Sequence, residues 1–222
     1  MARRTKADAQ ATRSSLLDAA EQLFEARGVS RTSLNDIALA AGTTRGAIYW
    51  HFKDKADLFN AMIERVTLPM EQTLTQTVHA GYVSLAELRA MLLDALRQIA
   101  TNEQTRRVML ISTHKVEYTA ELGAVQERQL SLHRAWLVRN SQALERAAEE
   151  AHRPLPIALK AAAVGLQVLV EGLVQHWLLD PAAFDLPEMG RTTIDTFLAG
   201  LGLSAQASEN AGEQLRAIRK PE

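Results

Sequence analysis

The stretch Thr43-Thr44-Arg45-Gly46-Ala47-Ile48-Tyr49-Trp50-His51 gathers polar, aromatic and cationic residues of the kinds that engage a polyanionic duplex. Arginine can fork onto a guanine edge or a phosphate, threonine can donate to phosphate or touch a thymine methyl, and glycine lets a backbone come close. Other candidate chemistry is weaker. His114 with Glu117, or His133, could act as acid–base groups, yet no histidine pair stands at metal-ligand spacing and no Gly-x-Ser-x-Gly occurs. The chain has no cysteine, which removes thiolate nucleophiles, thiolate metal sites and disulfides. These residues point to binding rather than catalysis, and they call for no cofactor and no metal.

Helices must position such an edge. Leu16, Leu17, Ala20, Leu23 and Phe24 recur at three- and four-residue steps, predicting a first helix over about 9–26 that Gly28 stops. Ser33 is a good N-cap for a short helix over 34–41, with Asp36 as its acidic first-turn residue and Gly42 as its end. Thr43 or Thr44 caps a third helix to about Trp50, and Phe52-Lys53-Asp54 breaks the chain before a longer helix over 55–79. Ala41 and Gly42 supply the tight corner that two helices crossing at ~90–120° require. Ile37, Ala38, Ala41, Ala47, Ile48 and Phe52 are spaced to pack on Leu17, Ala20 and Phe24. Thr44, Arg45, Gly46, Tyr49 and Trp50 are left to divide between a buried edge and an exposed one.

Further helices are expected over 84–101, 103–114, 120–151, 156–179 and 186–203, before a polar tail over 204–222. With 222 residues, 47% hydrophobic and 23% charged, and only 6 prolines and 11 glycines, the chain reads as an all-α protein of about nine helices: a three-helix helix–turn–helix head and a larger helical body. Net charge is −1, but residues 1–55 hold nine Lys/Arg against six Asp/Glu, giving +3 and leaving −4 for the rest. The start lacks the apolar run of a secretory signal, and the most apolar stretch, 157–174, is broken by Lys160, Gln167 and Glu171, so a cytoplasmic protein with no membrane span is expected. The expected division is a head over 1–55, with the start of the fourth helix to about 65, a body over 56–203, and the tail.

Ser33-Leu34-Asn35-Asp36-Ile37-Ala38, followed by Ala41-Gly42-Thr43-Thr44-Arg45-Gly46-Ala47-Ile48-Tyr49-Trp50-His51-Phe52-Lys53-Asp54-Lys55, resembles the DNA-binding head of the TetR family of repressors. With the opening Ala2-Arg3-Arg4-Thr5-Lys6 it is similar to the AcrR-like branch that represses multidrug efflux pumps. The resemblance is strong over about residues 5–65 and weak beyond. It implies that Thr44 and Arg45 face bases, with Gly46 close to the duplex, that Tyr49, His51 and Lys55 hold phosphates, and that Ser33 presents backbone amides to another. Arg3, Arg4 and Lys6 are either a solvated tail or an arm along the duplex.

In the body, small residues mark the last two helices. Ala161, Gly165, Val168 and Gly172 in one, with Ile194, Phe197 and Leu201 in the other, are expected at a two-fold four-helix interface, in line with the resemblance, or else in the monomer's own core. Gln167, Val170, Glu171 and Val174 follow i, i+3, i+4, i+7 and set an acid and an amide among aliphatics. Met91, Leu92, Ala95, Met109, Thr113 and Val138, with Val66 and Met70 below, would complete the wall of a ligand pocket. The expected function is a homodimeric repressor that binds palindromic double-stranded operator DNA and is released by a hydrophobic small-molecule inducer. A helical regulator of a metabolic operon is the alternative.

Overall fold

A computed structural model of the chain describes the backbone of residues 6–80 and 83–203, and the side chains of 6–68 and 83–203. Among the described residues there are nine α-helices and no strand: α1 Lys6–Arg27, α2 Leu34–Ala40, α3 Arg45–His51, α4 Lys55–Ala80, α5 Leu85–Thr101, α6 Glu103–His114, α7 Gly123–Glu150, α8 Leu159–Leu179 and α9 Leu186–Gly200. A single 3-10 turn, Ala120–Leu122, precedes α7.

Packing sorts these into two compact units, and α4 and α7 each run from one into the other. The first holds residues up to Pro69 together with Asn102–Ser131; the second holds Met70–Thr101 together with Leu132 onward. The first unit is therefore larger than the expected head. Its core joins Leu16, Leu17, Phe24, Ile37, Ile48, Phe52 and Phe59 to Val108 and Ile111 of α6 and to Leu122 and Val125, so these later residues complete what α1–α4 begin. Phe24 and Phe59 lie with ring centroids 6.0 Å apart, and full burial of each phenyl contributes about 1.5–3 kcal/mol.

Local chemistry sets the ends of the short helices. Ser33 and Asp36 form a reciprocal capping box: the Asp36 amide donates to Ser33 Oγ at 3.2 Å and the Ser33 amide to Asp36 Oδ2 at 2.9 Å. Gly42, at φ +64°, turns the chain between α2 and α3 in a region that penalises a Cβ. Thr44 then caps α3, its Oγ1 accepting from the Ala47 amide at 3.2 Å.

Three carboxylates of α1, Asp18, Glu21 and Glu25, tie it to α4 and α6 inside the first unit. Arg65 of α4 donates to Asp18 at 2.7 Å and to Glu21. Gln104 of α6 donates to Glu21 at 3.3 Å, and Arg107 to Glu25 at 3.0 Å. Glu21 is buried; desolvation lifts its carboxyl above the usual glutamate range, while the Arg65 hydrogen bond draws it back.

In the second unit α9 packs on both α5 and α8. Its stripe Leu186, Gly190, Ile194 and Leu198 is buried, and a Cβ at Gly190 would collide with the Leu96 side chain. A Cβ at Gly165 would stand 3.1 Å from Phe197, so the small residue on α8 makes room for an aromatic on α9 of the same chain. Arg89 of α5 pairs with Asp195 of α9 at 2.6 Å. Helix α8 is long and apolar enough to cross a membrane, yet Ala162, Ala163, Leu166, Val174, Trp177 and Leu178 are buried within the fold. Several boundaries differ from expectation, and α1 already starts at Lys6 rather than about 9. Helix α8 starts at Leu159 rather than 156, because Ala158 is still extended at ψ 137°. The stretch from 120 opens as a 3-10 turn, and α9 stops at Gly200, with Gly202 at φ +78°.

Candidate nucleic-acid interface

Helix α3 is two-faced. Ile48 is buried in the core, whereas Thr44, Arg45, Gly46, Tyr49 and Trp50 are exposed. The seven residues Arg45–His51 make two turns, so one anchored isoleucine suffices to orient the row. The Arg45 guanidinium lies 5.6 Å from the Tyr49 ring centroid, a cation–π contact that keeps both side chains on the outer edge. Trp50 is 73% exposed, which removes it from the core and adds an indole to this surface. His51 is half-buried, its ring edge-on to Trp50 at 4.6 Å.

Beside this row lies an open groove of about 430 Å³ that brings Ser33, Tyr49 and Lys55 together with Arg31, Lys53 and the carboxylates of Asp36, Asp54 and Glu121. One expected phosphate contact is corrected here. Lys55 is buried, and its ammonium donates to the carbonyls of Val29 at 3.3 Å and Thr32 at 3.2 Å and pairs with Glu121 at 3.1 Å. Its donors are already engaged, so it closes the corner between α1 and α2 rather than offering a free charge. The Ser33 amide is held by Asp36. Lys53, like Arg31, is an exposed cation of this groove that was not among the expected site residues. Its place in the break between two helices, where a side chain is seldom covered, was the available signal. Lys6 is exposed at the first turn of α1, while Arg3 and Arg4 lie outside the described residues.

The expected ligand wall draws on both units: Val66, Met109 and Thr113 belong to the first, and Met91, Leu92, Ala95, Val138, Gln167, Val170, Glu171 and Val174 to the second. Met70's side chain lies outside the described residues. Val138 is 45% exposed and cannot line an interior wall. The Glu171 side chain is 49% exposed, so its carboxylate stands half in solvent rather than enclosed among the aliphatics. Gln167 is buried and donates to Glu171 at 2.8 Å, with its Nε2 3.0 Å from His133 Nδ1. Of the expected dimer residues, Ala161 and Val168 are exposed and Gly165, Gly172 and Phe197 half-buried. Ile194 and Leu201 are buried inside the unit, because α9 turns its apolar stripe inward, and they leave that list.

Comparison with known proteins bears on this geometry. Residues 16–62 match the bacterial regulatory proteins of the tetR family, and residues 84–202 match the MAATS-type transcriptional repressor C-terminal region. The HTH-type transcriptional regulator AcrR of Shigella flexneri is 39% identical over 199 residues, covering 89% of this chain and 93% of that protein. The crystal structure of NalD, the secondary repressor of the MexAB-OprM multidrug efflux pump in Pseudomonas aeruginosa, superposes with a TM-score of 0.77 at 37% identity, over 87% of this chain and 98% of that one. SmeT, the repressor of the Stenotrophomonas maltophilia multidrug efflux pump SmeDEF, solved as a complex with triclosan, gives a TM-score of 0.72 at 35% identity, over 86% and 91%. These are DNA-binding regulators rather than enzymes, and the exposed α3 row falls within the segment matched to the family's head. The chain belongs to the TetR family of bacterial transcriptional regulators.

Proposed function

We propose that the chain is a homodimeric cytoplasmic repressor of a multidrug efflux operon, reading a palindromic operator through α3 and released by small hydrophobic molecules. The observation that carries this reading is the row Thr44, Arg45, Gly46 and Tyr49, held outward on a capped helix whose opposite side is locked by Ile48. The efflux assignment draws on NalD and SmeT, and the small-molecule assignment on SmeT with triclosan.

Dimerisation has a mechanical basis, since two recognition helices must reach major-groove faces about one turn, ~34–36 Å, apart or a multiple of it. Support comes from the outer side of α8, where Ala161, Val164, Val168 and Leu179 are exposed and Gly172 stands half-buried among them. Apolar surface concentrated on one helix of a folded protein marks an association site.

Release works as a population shift. Arg65 of α4 is bonded to Asp18 and Glu21 of α1, so a ligand that tilts α4 carries α1, and with it α2 and α3, out of the operator-matched spacing. A coupling of about 1–3 kcal/mol weakens operator binding roughly 5- to 150-fold. The test is a mobility shift with duplex from upstream of the chain's own gene, titrated with triclosan, alongside light scattering for mass. Binding as a dimer with release by triclosan is expected; a monomer, or no shift at low ionic strength, overturns the reading.

A further inference from the structure

Helix α7 turns inward a stripe that repeats at three- and four-residue steps, Trp136, Arg139, Asn140, Ala143, Leu144 and Ala147. A guanidinium in that stripe is unexpected. Arg139 is 0% exposed, and among the described residues no oxygen accepts from its Nε, Nη1 or Nη2. Its guanidinium lies over the face of Trp136, 4.4 Å from the ring centroid. A cation–π contact offsets only part of the cost of taking a charge out of water. Desolvation lowers its pKa to about 10, which still leaves a cation at neutral pH. Nearby in sequence, the side-chain carbonyl oxygens of Asn140 and Gln142 also lack a donor, as does that of Gln167 on α8.

Buried donors without acceptors are rare because each keeps its desolvation penalty uncompensated. A fork of orphan N–H groups beside an aromatic face matches one chemistry well: a planar carboxylate, which takes two parallel N–H···O bonds, on a ring that packs against the indole. Cationic ligands are disfavoured at such a place. Glu171, the acid among the expected wall residues, stands half in solvent.

We propose that Arg139 and Trp136 form the anion-recognising end of a small-molecule site within the second unit, which takes aromatic carboxylates. This deepens, and rests on, the reading of the chain as a ligand-released repressor. Arg139 binds the carboxylate directly, and Trp136 positions both the guanidinium and the ligand ring.

The test is calorimetric titration of the full chain with naphthoate and with its neutral isostere naphthamide. Naphthoate is expected to bind the wild type roughly ten- to a hundred-fold more tightly. R139M should bring naphthoate down to the naphthamide value, and R139K, which keeps the charge and loses the fork, should fall between. Equal affinities for the two probes on the wild type, no naphthoate binding, or unchanged naphthoate affinity in R139K and R139M would overturn the proposal. The wild-type pair decides the matter even where R139M does not fold. Operator release is read separately by mobility shift. Naphthoate that binds through Arg139 without releasing DNA supports the site and sinks the release reading, whereas release by triclosan without naphthoate binding sinks the site alone.

Discussion

Among the described residues the first unit buries the charges of Glu21 and Lys55 and the second that of Arg139, and Glu21 and Arg139 are treated in opposite ways. Glu21 in the first unit meets Arg65, Gln104 and, at 3.9 Å, Arg107; Arg139 in the second meets the face of Trp136 and, among the described residues, no acceptor. A buried charge surrounded by partners fixes elements against one another, as Glu21 fixes α1 to α4 and α6. One left without them stores an unmet interaction that a ligand can satisfy. The head is thus built to hold one shape, while the body keeps a vacancy in its polar bonding.

The largest expected effect tests the satisfied charge. Glu21→Ala strips Arg65 and Arg107 of their shared partner and should lower unfolding stability by about 3 kcal/mol, measured by urea denaturation; a loss near zero would mean that the cluster is ornamental. Next, Lys55→Met removes the donor from the Val29 and Thr32 carbonyls and should cost about 2 kcal/mol. Its operator affinity should fall only in proportion to the population unfolded. A clean loss of DNA binding in a fully folded variant would return Lys55 to phosphate contact.

On the other side of the comparison, Arg139→Met exchanges an unpaired buried cation for an apolar side chain of similar length. Without ligand it should leave stability unchanged or raise it by about 1 kcal/mol, read by thermal denaturation. A loss of several kcal/mol would show that Arg139 is already satisfied. The smallest effect concerns Asp195, whose carboxyl the Arg89 hydrogen bond holds below the usual aspartate range. A lowered folded-state pKa contributes stability above the ordinary value that is lost as pH falls through the folded one. Asp195→Asn should therefore cost about 0.5 kcal/mol at neutral pH, since the pair is partly exposed, and nothing in strong acid.

Much of the head was legible because its determinants are local. The Ser33–Asp36 capping box, the Gly42 corner and the Thr44 cap each lie within a few residues of the group they satisfy, and the Ile48 anchor follows from helical period. Lys55 was misread because its partners, Val29, Thr32 and Glu121, are distant in sequence. In the body, periodicity found the stripes on α8 and α9 without saying which neighbour covers them. Ile194 and Leu201 went to the wrong side for that reason, and Gly165 turned out to accommodate Phe197. Arg139 escaped notice among the other arginines of α7. Only its register with Trp136, Asn140 and Ala143 marks it as inward-facing, and that register becomes informative once the burial of α7 is known.

The central claim is that α3 reads DNA sequence through Arg45. It is tested most directly by fluorescence anisotropy of the wild type and Arg45→Ala on the gene's own upstream duplex and on a scrambled duplex of equal length. The wild type should prefer its own sequence, and Arg45→Ala should forfeit about 1–3 kcal/mol of that preference while still binding both duplexes at low salt. An Arg45→Ala protein that keeps the full preference would contradict the account.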